Sequence, residues 1–231
     1  MQTDLNSNTY LYKDRDDAIK NLLEILPIEQ IKKENWLLLA LSRGGAKICM
    51  GLCEKLKVNF DLFFIAPIAA PQNDECEIAM VSETKEIVIH EALTKSFGID
   101  ENYIYSQASD LYEDKIILWN NRFRYAEDMT SIKNRSVLLV DEGCESGLSL
   151  MCAIKSVLNL NTNKVSIALP VIAEDLFHQL DLIADNVFVP HKIVHFISTD
   201  YYYENLEKIK SKELIYMLKK SSSFMPNIKE S

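Results

Sequence analysis

Two stretches of this chain repeat one pattern: an unbroken apolar run, a short loop holding a pair of glycines, then an amphipathic helix. The first passes from Trp36–Leu41 through Ser42-Arg43-Gly44-Gly45 into a stripe of Ile48, Cys49, Leu52, Cys53 and Leu56. The second passes from Ser136–Val140 through Asp141-Glu142-Gly143-Cys144-Glu145-Ser146-Gly147 into a helix predicted from about Leu148 to Leu158. An apolar run without alternation marks a strand covered on both faces, and strand–loop–helix units assemble into parallel sheets. The chain holds only 6 glycines in 231 residues, where average usage gives about 16. Four of the six lie in these two loops, so each is expected where a side chain has no room.

The remaining chain extends the pattern. Asp14 or Asp16 suits the cap of a helix carrying Ile19, Leu22, Leu23 and Leu26, with Pro27 near its end. Phe60–Ile65, Lys164–Pro170, Asn186–Val189 and Ile193–Ile197 read as further strands, and Ala173–Ala184 as a further helix. The fold class is α/β: a mainly parallel twisted sheet with helices on both faces, plus an inserted subdomain. That insertion covers about 66–135, where Ala66–Asn73 carries two prolines and reads as a loop. Glu86–His90 suits a short strand there, and Asn102–Trp119 a polar helix. One domain over 12–217 is expected, with tails at 1–11 and 218–231.

Composition narrows the function classes. The formal net charge is −9, and the only basic clusters are Lys32–Lys33 and Lys219–Lys220, so no nucleic-acid partner is expected. The longest apolar stretch, near Phe60–Pro71, is broken by Asp61 and Pro67 and falls short of the roughly 20 residues of a membrane span. No signal-peptide pattern opens the sequence, and a cytoplasmic location is expected. Five scattered cysteines read as buried thiols rather than a disulfide framework. His191 and His195, four apart in a strand-like stretch with no acid between them, are not expected to bind metal.

The chemistry lies in the second loop. Ligands of open parallel sheets collect beyond the carboxyl ends of the strands, which is where Asp141 and Glu142 fall. The loop runs into a helix N-terminus, whose free N–H groups favour an anion, and Ser146 and Ser149 add hydroxyls. Acids followed by an anion cradle suit a sugar phosphate. The same residues also suit a capped strand-to-helix turn with no ligand. Neither Gly-x-Gly-x-x-Gly nor a Walker A pattern is present.

The segment Asp141-Glu142-Gly143-Cys144-Glu145-Ser146-Gly147-Leu148-Ser149 resembles the phosphoribosyl-pyrophosphate (PRPP) signature of type I phosphoribosyltransferases. Tyr12-Lys13-Asp14-Arg15, Leu41-Ser42-Arg43-Gly44-Gly45, Ala70-Pro71-Gln72-Asn73-Asp74-Glu75 and Tyr203-Glu204-Asn205-Leu206 resemble, in order, segments of a bacterial subgroup of that family. The resemblance implies that Asp141 and Glu142 take the ribose hydroxyls. It further implies that residues Glu145, Ser146, Gly147, Leu148 and Ser149 hold the 5′-phosphate, and that Arg43 and Gly44 face pyrophosphate. Glu145 stands where some relatives place an acid near the base, which makes it a candidate proton acceptor.

On this resemblance the protein binds PRPP with Mg²⁺ carried mainly by the ligand. It transfers the ribosyl 5-phosphate to a nitrogenous base or similar small acceptor. No dedicated metal ligands are expected. A homodimer is the assembly the resemblance suggests. Relatives carry an Arg-Lys pair where this chain has Ala66-Pro67, which keeps a non-catalytic PRPP-binding regulator as an alternative. Arg43, Arg122 and Arg124 are the candidate cations, Cys144 reads as a packing residue with a low-pKa thiol as its alternative, and Tyr201–Tyr203 suit either stacking on a base or packing.

Overall fold

The computed structural model describes residues 10–225. Asp14 caps α1 (Arg15–Ile25), its carboxylate accepting from the Asp17 N–H. Pro27 then opens a short helix that the hydrophobic pattern does not predict, α2 (Ile28–Glu34). β1 (Leu37–Ala40), α3 (Arg43–Leu56) and β2 (Asn59–Leu62) follow as one strand–helix–strand unit. The strand expected over Phe60–Ile65 ends early, because Ile65 already belongs to another sheet.

That second sheet is an antiparallel meander of β3 (Ile65–Ala70), β4 (Asn73–Ser82) and β5 (Ile87–Ile89), in the order β3-β4-β5. Ala66–Asn73 is therefore mostly strand rather than loop. Pro67 is tolerated because β3 is an edge strand, where one missing N–H breaks no second ladder. Pro71 and Gln72 make the turn, with Gln72 at φ 63°. α4 (Glu91–Ser96) and α5 (Glu101–Leu111) lead into a π-turn at Tyr112–Ile116, a single turn α6 (Ile117–Trp119), and a second π-turn at Asn120–Arg124.

The chain then returns to the main sheet through β6 (Ser136–Val140), α7 (Leu148–Asn159) and β7 (Lys164–Ala168). β8 (Val171–Ala173), α8 (Glu174–Asp181), β9 (Asn186–Phe188) and β10 (His191–Ile193) follow, and α9 (Ser211–Lys220) comes last. The strand expected at Ile193–Ile197 lies earlier, at β10, where it pairs with β8. The central sheet has the order β2-β1-β6-β7-β9, and every pairing in it is parallel.

Helices cover both faces, and the strands divide their side chains accordingly. Leu38, Ala40, Leu138 and Val140 pack with α1, α2 and α3. Their neighbours Leu37, Leu39, Val137 and Leu139 pack with α7 and α8. Successive residues of a strand point to opposite faces, so a strand buried on both sides has no polar position, which is why these runs do not alternate.

The expected tails differ from the structure in their described parts. Leu11 N–H donates to the Tyr202 carbonyl. Beyond α9, Phe224 is buried against Phe60, and Phe60 exchanges backbone hydrogen bonds with Ser223 and Met225 at the edge of β2. The rest of the predicted tails, residues 1–9 and 226–231, lies outside the described residues.

One buried polar cluster ties the insertion to the sheet. Arg124, 1% exposed, donates from Nε to Asp61 Oδ1 at 3.0 Å and from both Nη atoms to Glu83 at 2.6 Å. Nη2 also donates to the Leu62 carbonyl at 2.7 Å. Burial pushes both carboxyls above their ordinary range in spite of the guanidinium beside them. Removing one partner of a buried ion pair costs more than the pair contributes, because the other charge is left uncompensated. Arg124→Met should lower stability by about 3–5 kcal/mol in urea denaturation. The loss should be larger at pH 8 than at pH 5, where the abandoned acids can take up protons. A change below about 1 kcal/mol at both pH values would show that the cluster does not hold the insertion down.

Candidate functional site

β1 and β6 are neighbours, and the chain moves away from them in opposite directions, from β1 to β2 and from β6 to β7 and β9. Their carboxyl ends therefore form the switch point at which open α/β sheets bind ligands. A cavity of about 810 Å³ opens there. One side of it is polar, with Arg15, Ser42, Arg43, Asp141, Glu142 and Glu145. The other is apolar, with Leu62, Phe64, Ile65, Trp119, Phe123 and Leu214.

The polar side is built by close docking of the β6 terminus on the first turn of α3. The segment Ser42-Arg43-Gly44-Gly45, expected as a loop, is that turn: Ser42 is the cap, its Oγ accepting from the Gly45 N–H at 2.9 Å. A Cβ at Gly45 would lie 2.6 Å from the Val140 carbonyl oxygen, and one at Gly44 would collide with the Glu142 carboxylate. The two glycines thus let the acid pair settle onto the positive end of the helix.

The same Ser42 hydroxyl donates to Asp141 Oδ1, which also accepts the Glu142 N–H at 2.9 Å. Glu142 Oε1 pairs with Arg15 Nε, and the Tyr203 hydroxyl donates to the Glu142 carbonyl at 2.9 Å. Among the described residues, Asp141 Oδ2 and Glu142 Oε2 take no hydrogen bond from the protein. Burial lifts Asp141 to about 7, against the pull of the Ser42 and Glu142 donors. Burial raises Glu142 too, opposed by Arg15. Carboxyls shifted in this way concentrate at functional sites, where desolvation is accepted for chemistry.

Arg15 is the site residue that local pattern does not identify. It sits 127 positions from its partner Glu142; the sequence offers it only as part of the Tyr12-Lys13-Asp14-Arg15 segment, with no role in the site. The tertiary fold brings it across, and its Nη2 is held by the Glu207 carbonyl at 2.9 Å.

The expected phosphate loop is only partly at the cleft. Glu145 lines it, and its Oε1 accepts the Thr199 N–H at 3.0 Å. Ser146 is exposed, while Gly147, Leu148 and Ser149 turn toward α8 and β4. Gly147 adopts φ 76° with Leu176 against it, Leu148 is buried with Met80 and Cys152, and the Ser149 Oγ lies 3.8 Å from Met80 Sδ. α7 has no side-chain cap, which leaves its first N–H groups available to an anion. Against that, Glu77 of β4 is raised by burial and by the nearby Glu145 charge, so two acids flank this N-terminus.

Other candidates resolve into structure. Arg124 is the buried brace described above, and Arg122 is exposed away from the cleft, so Arg43 is the candidate cation that reaches it. Arg43 Nη1 donates to the Ile209 carbonyl at 3.3 Å, and Lys208 also lines the cleft. Cys144 is buried, and its thiol is pushed up to about 12 by desolvation rather than lowered by the helix end. Tyr202 and Tyr203 are buried, with Tyr203 packed on Tyr12 at 5.1 Å; packing, not base stacking, occupies them. His191 meets the Tyr12 ring edge-on at 5.4 Å. Among the described residues, no group of three or more His, Cys, Asp or Glu side chains is placed to hold a metal ion. No described helix is long and apolar enough to cross a membrane.

No protein-family model matches the chain. Two curated proteins of Mycobacterium tuberculosis, from strains CDC 1551 / Oshkosh and ATCC 25618 / H37Rv, are each 22% identical to it over 212 residues. Both are named "Putative phosphoribosyl transferase". The alignment takes in 90% of this chain and 46% of each relative, so the chain spans about half the length of the curated proteins it matches. Among solved structures, TT1426 from Thermus thermophilus superposes with a TM-score of 0.72 at 24% identity, covering 89% of this chain and 96% of that one. The fold is shared with that protein. The sequence similarity agrees with the type I phosphoribosyltransferase-like character that the motifs suggest.

The shift at Asp141 has a measurable consequence. Its carboxyl keeps a proton to about pH 7 when folded and releases it near its ordinary value, 3.8, when unfolded. Between those values the folded state binds more protons, and stability falls as pH rises. Asp141→Asn keeps an acceptor for Ser42 and removes the titration. Relative to wild type, the variant should gain on the order of 4 kcal/mol between pH 4 and pH 8, read from urea midpoints. A difference that does not change with pH would contradict the burial described here.

Proposed function

We propose that this protein is a phosphoribosyltransferase that binds Mg²⁺-PRPP and transfers its ribosyl 5-phosphate group to a nitrogenous base or similar small acceptor, releasing pyrophosphate. One observation carries the reading: Arg43, the first turn of α3 and the Asp141–Glu142 pair converge on a single cleft at the switch point. A sugar bearing two hydroxyls and anionic groups needs that combination of acceptors, cations and helix N-termini. The similarity to proteins named as phosphoribosyl transferases supports it.

In this reading Asp141 Oδ2 and Glu142 Oε2, the oxygens without protein donors, accept from the ribose 2′- and 3′-hydroxyls. Arg15 and Ser42 hold the two carboxylates in place for that task. Arg43 and the Gly44 turn face the pyrophosphate and offset the charge it gains on leaving. The uncapped N-terminus of α7 takes the 5′-phosphate through its free backbone N–H groups and the exposed Ser146, since the side chains of Leu148 and Ser149 are turned toward β4. The acceptor's nitrogen lone pair forms the bond to C1 as the C1–oxygen bond breaks. The bonding electrons leave with pyrophosphate, and the acceptor's proton passes to Glu145 or to solvent. Mg²⁺ prefers phosphates and waters to a protein cage. The residues present fit it in that form, with the outer oxygens of Asp141 and Glu142 available to its waters. When bound, the ion neutralises charge on the diphosphate.

A second reading, a non-catalytic PRPP-binding regulator, is favoured by the hairpin beside the cleft. Ala66 and Pro67 lie in β3, and Arg124, the nearest buried cation, is fully committed to Asp61 and Glu83.

Calorimetric titration with Mg²⁺-PRPP tests both readings. Wild type should bind, and Arg43→Ala, an exposed change, should bind at least about tenfold more weakly, equivalent to roughly 1.4 kcal/mol, with an unaltered melting temperature. Absence of binding by wild type overturns both readings. Pyrophosphate release across a panel of bases then separates them: PRPP binding without release by any acceptor leaves the regulator.

A further inference from the structure

The cleft continues past its polar half into a pocket walled by Leu62, Phe64, Ile65, Trp119, Phe123 and Leu214. The Phe64 ring centre lies 6.3 Å from both Trp119 and Phe123, with interplanar angles of 53° and 35°. The guanidinium of Arg124 lies 4.4 Å from the Phe64 ring centre. Because Arg124 is itself held by Asp61 and Glu83, the Phe64 ring is fixed from behind.

This wall offers a ligand almost nothing to hydrogen-bond. The Leu62 N–H goes to Asp61 Oδ1 and the Leu62 carbonyl to Arg124 Nη2, both at 2.7 Å. The Phe63 N–H goes to the Ala40 carbonyl at 2.8 Å, and the Phe64 N–H to Glu83 Oε1 at 2.8 Å. The Phe64 carbonyl takes the Glu83 N–H at 2.9 Å. The exceptions are the indole N–H of Trp119 and the Phe63 carbonyl, which have no partner among the described residues. A purine or pyrimidine placed here would bury several edge donors and acceptors with most of them unsatisfied, and such groups bind poorly when left unpaired.

The backbone around this wall is unusual as well. Trp119 and Phe123 come from the segment interrupted by two π-turns, a feature found often at functional sites. Tyr125 and Ala126 immediately after it both adopt left-handed φ, 58° and 66°. Such conformations cost energy in residues with a Cβ and concentrate at ligand sites.

The geometry points to an acceptor subsite for a largely hydrocarbon aromatic ring, an arylamine or a benzo-fused azole rather than a nucleobase, seated on Phe64, Trp119 and Phe123. It rests on the transferase reading above and narrows its acceptor. Ring-on-ring packing favours a flat aromatic over an acyl chain, and the pocket opens directly onto the acids and Arg43, so a ring nitrogen can face the ribose while the ring is buried.

Calorimetry on the full chain, with benzimidazole and hypoxanthine as probes and PRPP titrated separately, tests this. Benzimidazole should bind at least tenfold more tightly than hypoxanthine. Trp119→Leu should weaken benzimidazole at least tenfold, and Trp119→Phe should restore most of it, with PRPP affinity unchanged in both. Hypoxanthine binding as tightly as benzimidazole overturns the subsite, as does benzimidazole binding that is indifferent to Trp119→Leu in a folded variant. Cyclohexylamine competing as well as benzimidazole also overturns it, since the wall would then be merely apolar. Loss of PRPP binding with benzimidazole binding intact removes the transferase reading and leaves the aromatic site standing.

Discussion

Everything at this cleft depends on how closely the end of β6 approaches the first turn of α3. Two glycines remove the side chains that would hold them apart, and Ser42 serves both partners, accepting from Gly45 and donating to Asp141. Glu142 fills the space over Gly44 and is held there by Arg15. Two acids are thereby kept at a helix N-terminus, in surroundings that raise both of them. An arrangement that desolvates two carboxyls side by side costs stability. The fold offsets that cost with a large apolar core on both faces of the sheet, which the packing of α1, α2 and α3 on one side and α7 and α8 on the other provides.

The insertion is connected to this centre by a second polar device of opposite character. Arg124 satisfies Asp61 in β2 and Glu83 just past β4 and takes the Leu62 carbonyl, while those two partners take the Leu62 N–H and the Phe64 backbone groups of the cleft wall. One half of the cleft is therefore rich in acceptors and the other is stripped of them. That division is a property of hydrogen-bond accounting rather than of residue type alone, since residues 62–64 form part of the wall and pair five of their six backbone N–H and C=O groups within the protein.

Several parts of this architecture are legible in the residues. Trp36–Leu41 and Ser136–Val140 suit only doubly buried strands, and both are in the central sheet. Gly44, Gly45 and Gly147 are expected where side chains do not fit, and each is so placed. The hairpin β3–β4 is not legible, because two prolines resemble a loop when the neighbouring strands are unknown; an edge position makes Pro67 harmless. Ser42-Arg43-Gly44-Gly45 reads as loop for a related reason: glycines in a first helical turn are disfavoured by propensity, and here the contact with Glu142 and Val140 overrides it. Spacing groups Leu148 and Ser149 with a phosphate cradle, yet helix geometry turns them toward β4.

The residues alone dictate the parallel α/β core and the location of the acid pair at a strand terminus, because an apolar run followed by acids and glycines allows few other structures. They also dictate that Arg43 and the acids belong to one sheet edge. Which charges meet is a matter of the folded chain. Arg15 reaches Glu142, Arg124 withdraws from the cleft to pair with Asp61 and Glu83, and Trp119 and Phe123 arrive at Phe64. These pairings join positions tens to more than a hundred residues apart, so no local period or propensity records them. They follow from where the packed elements leave space and which buried polar atoms still need partners.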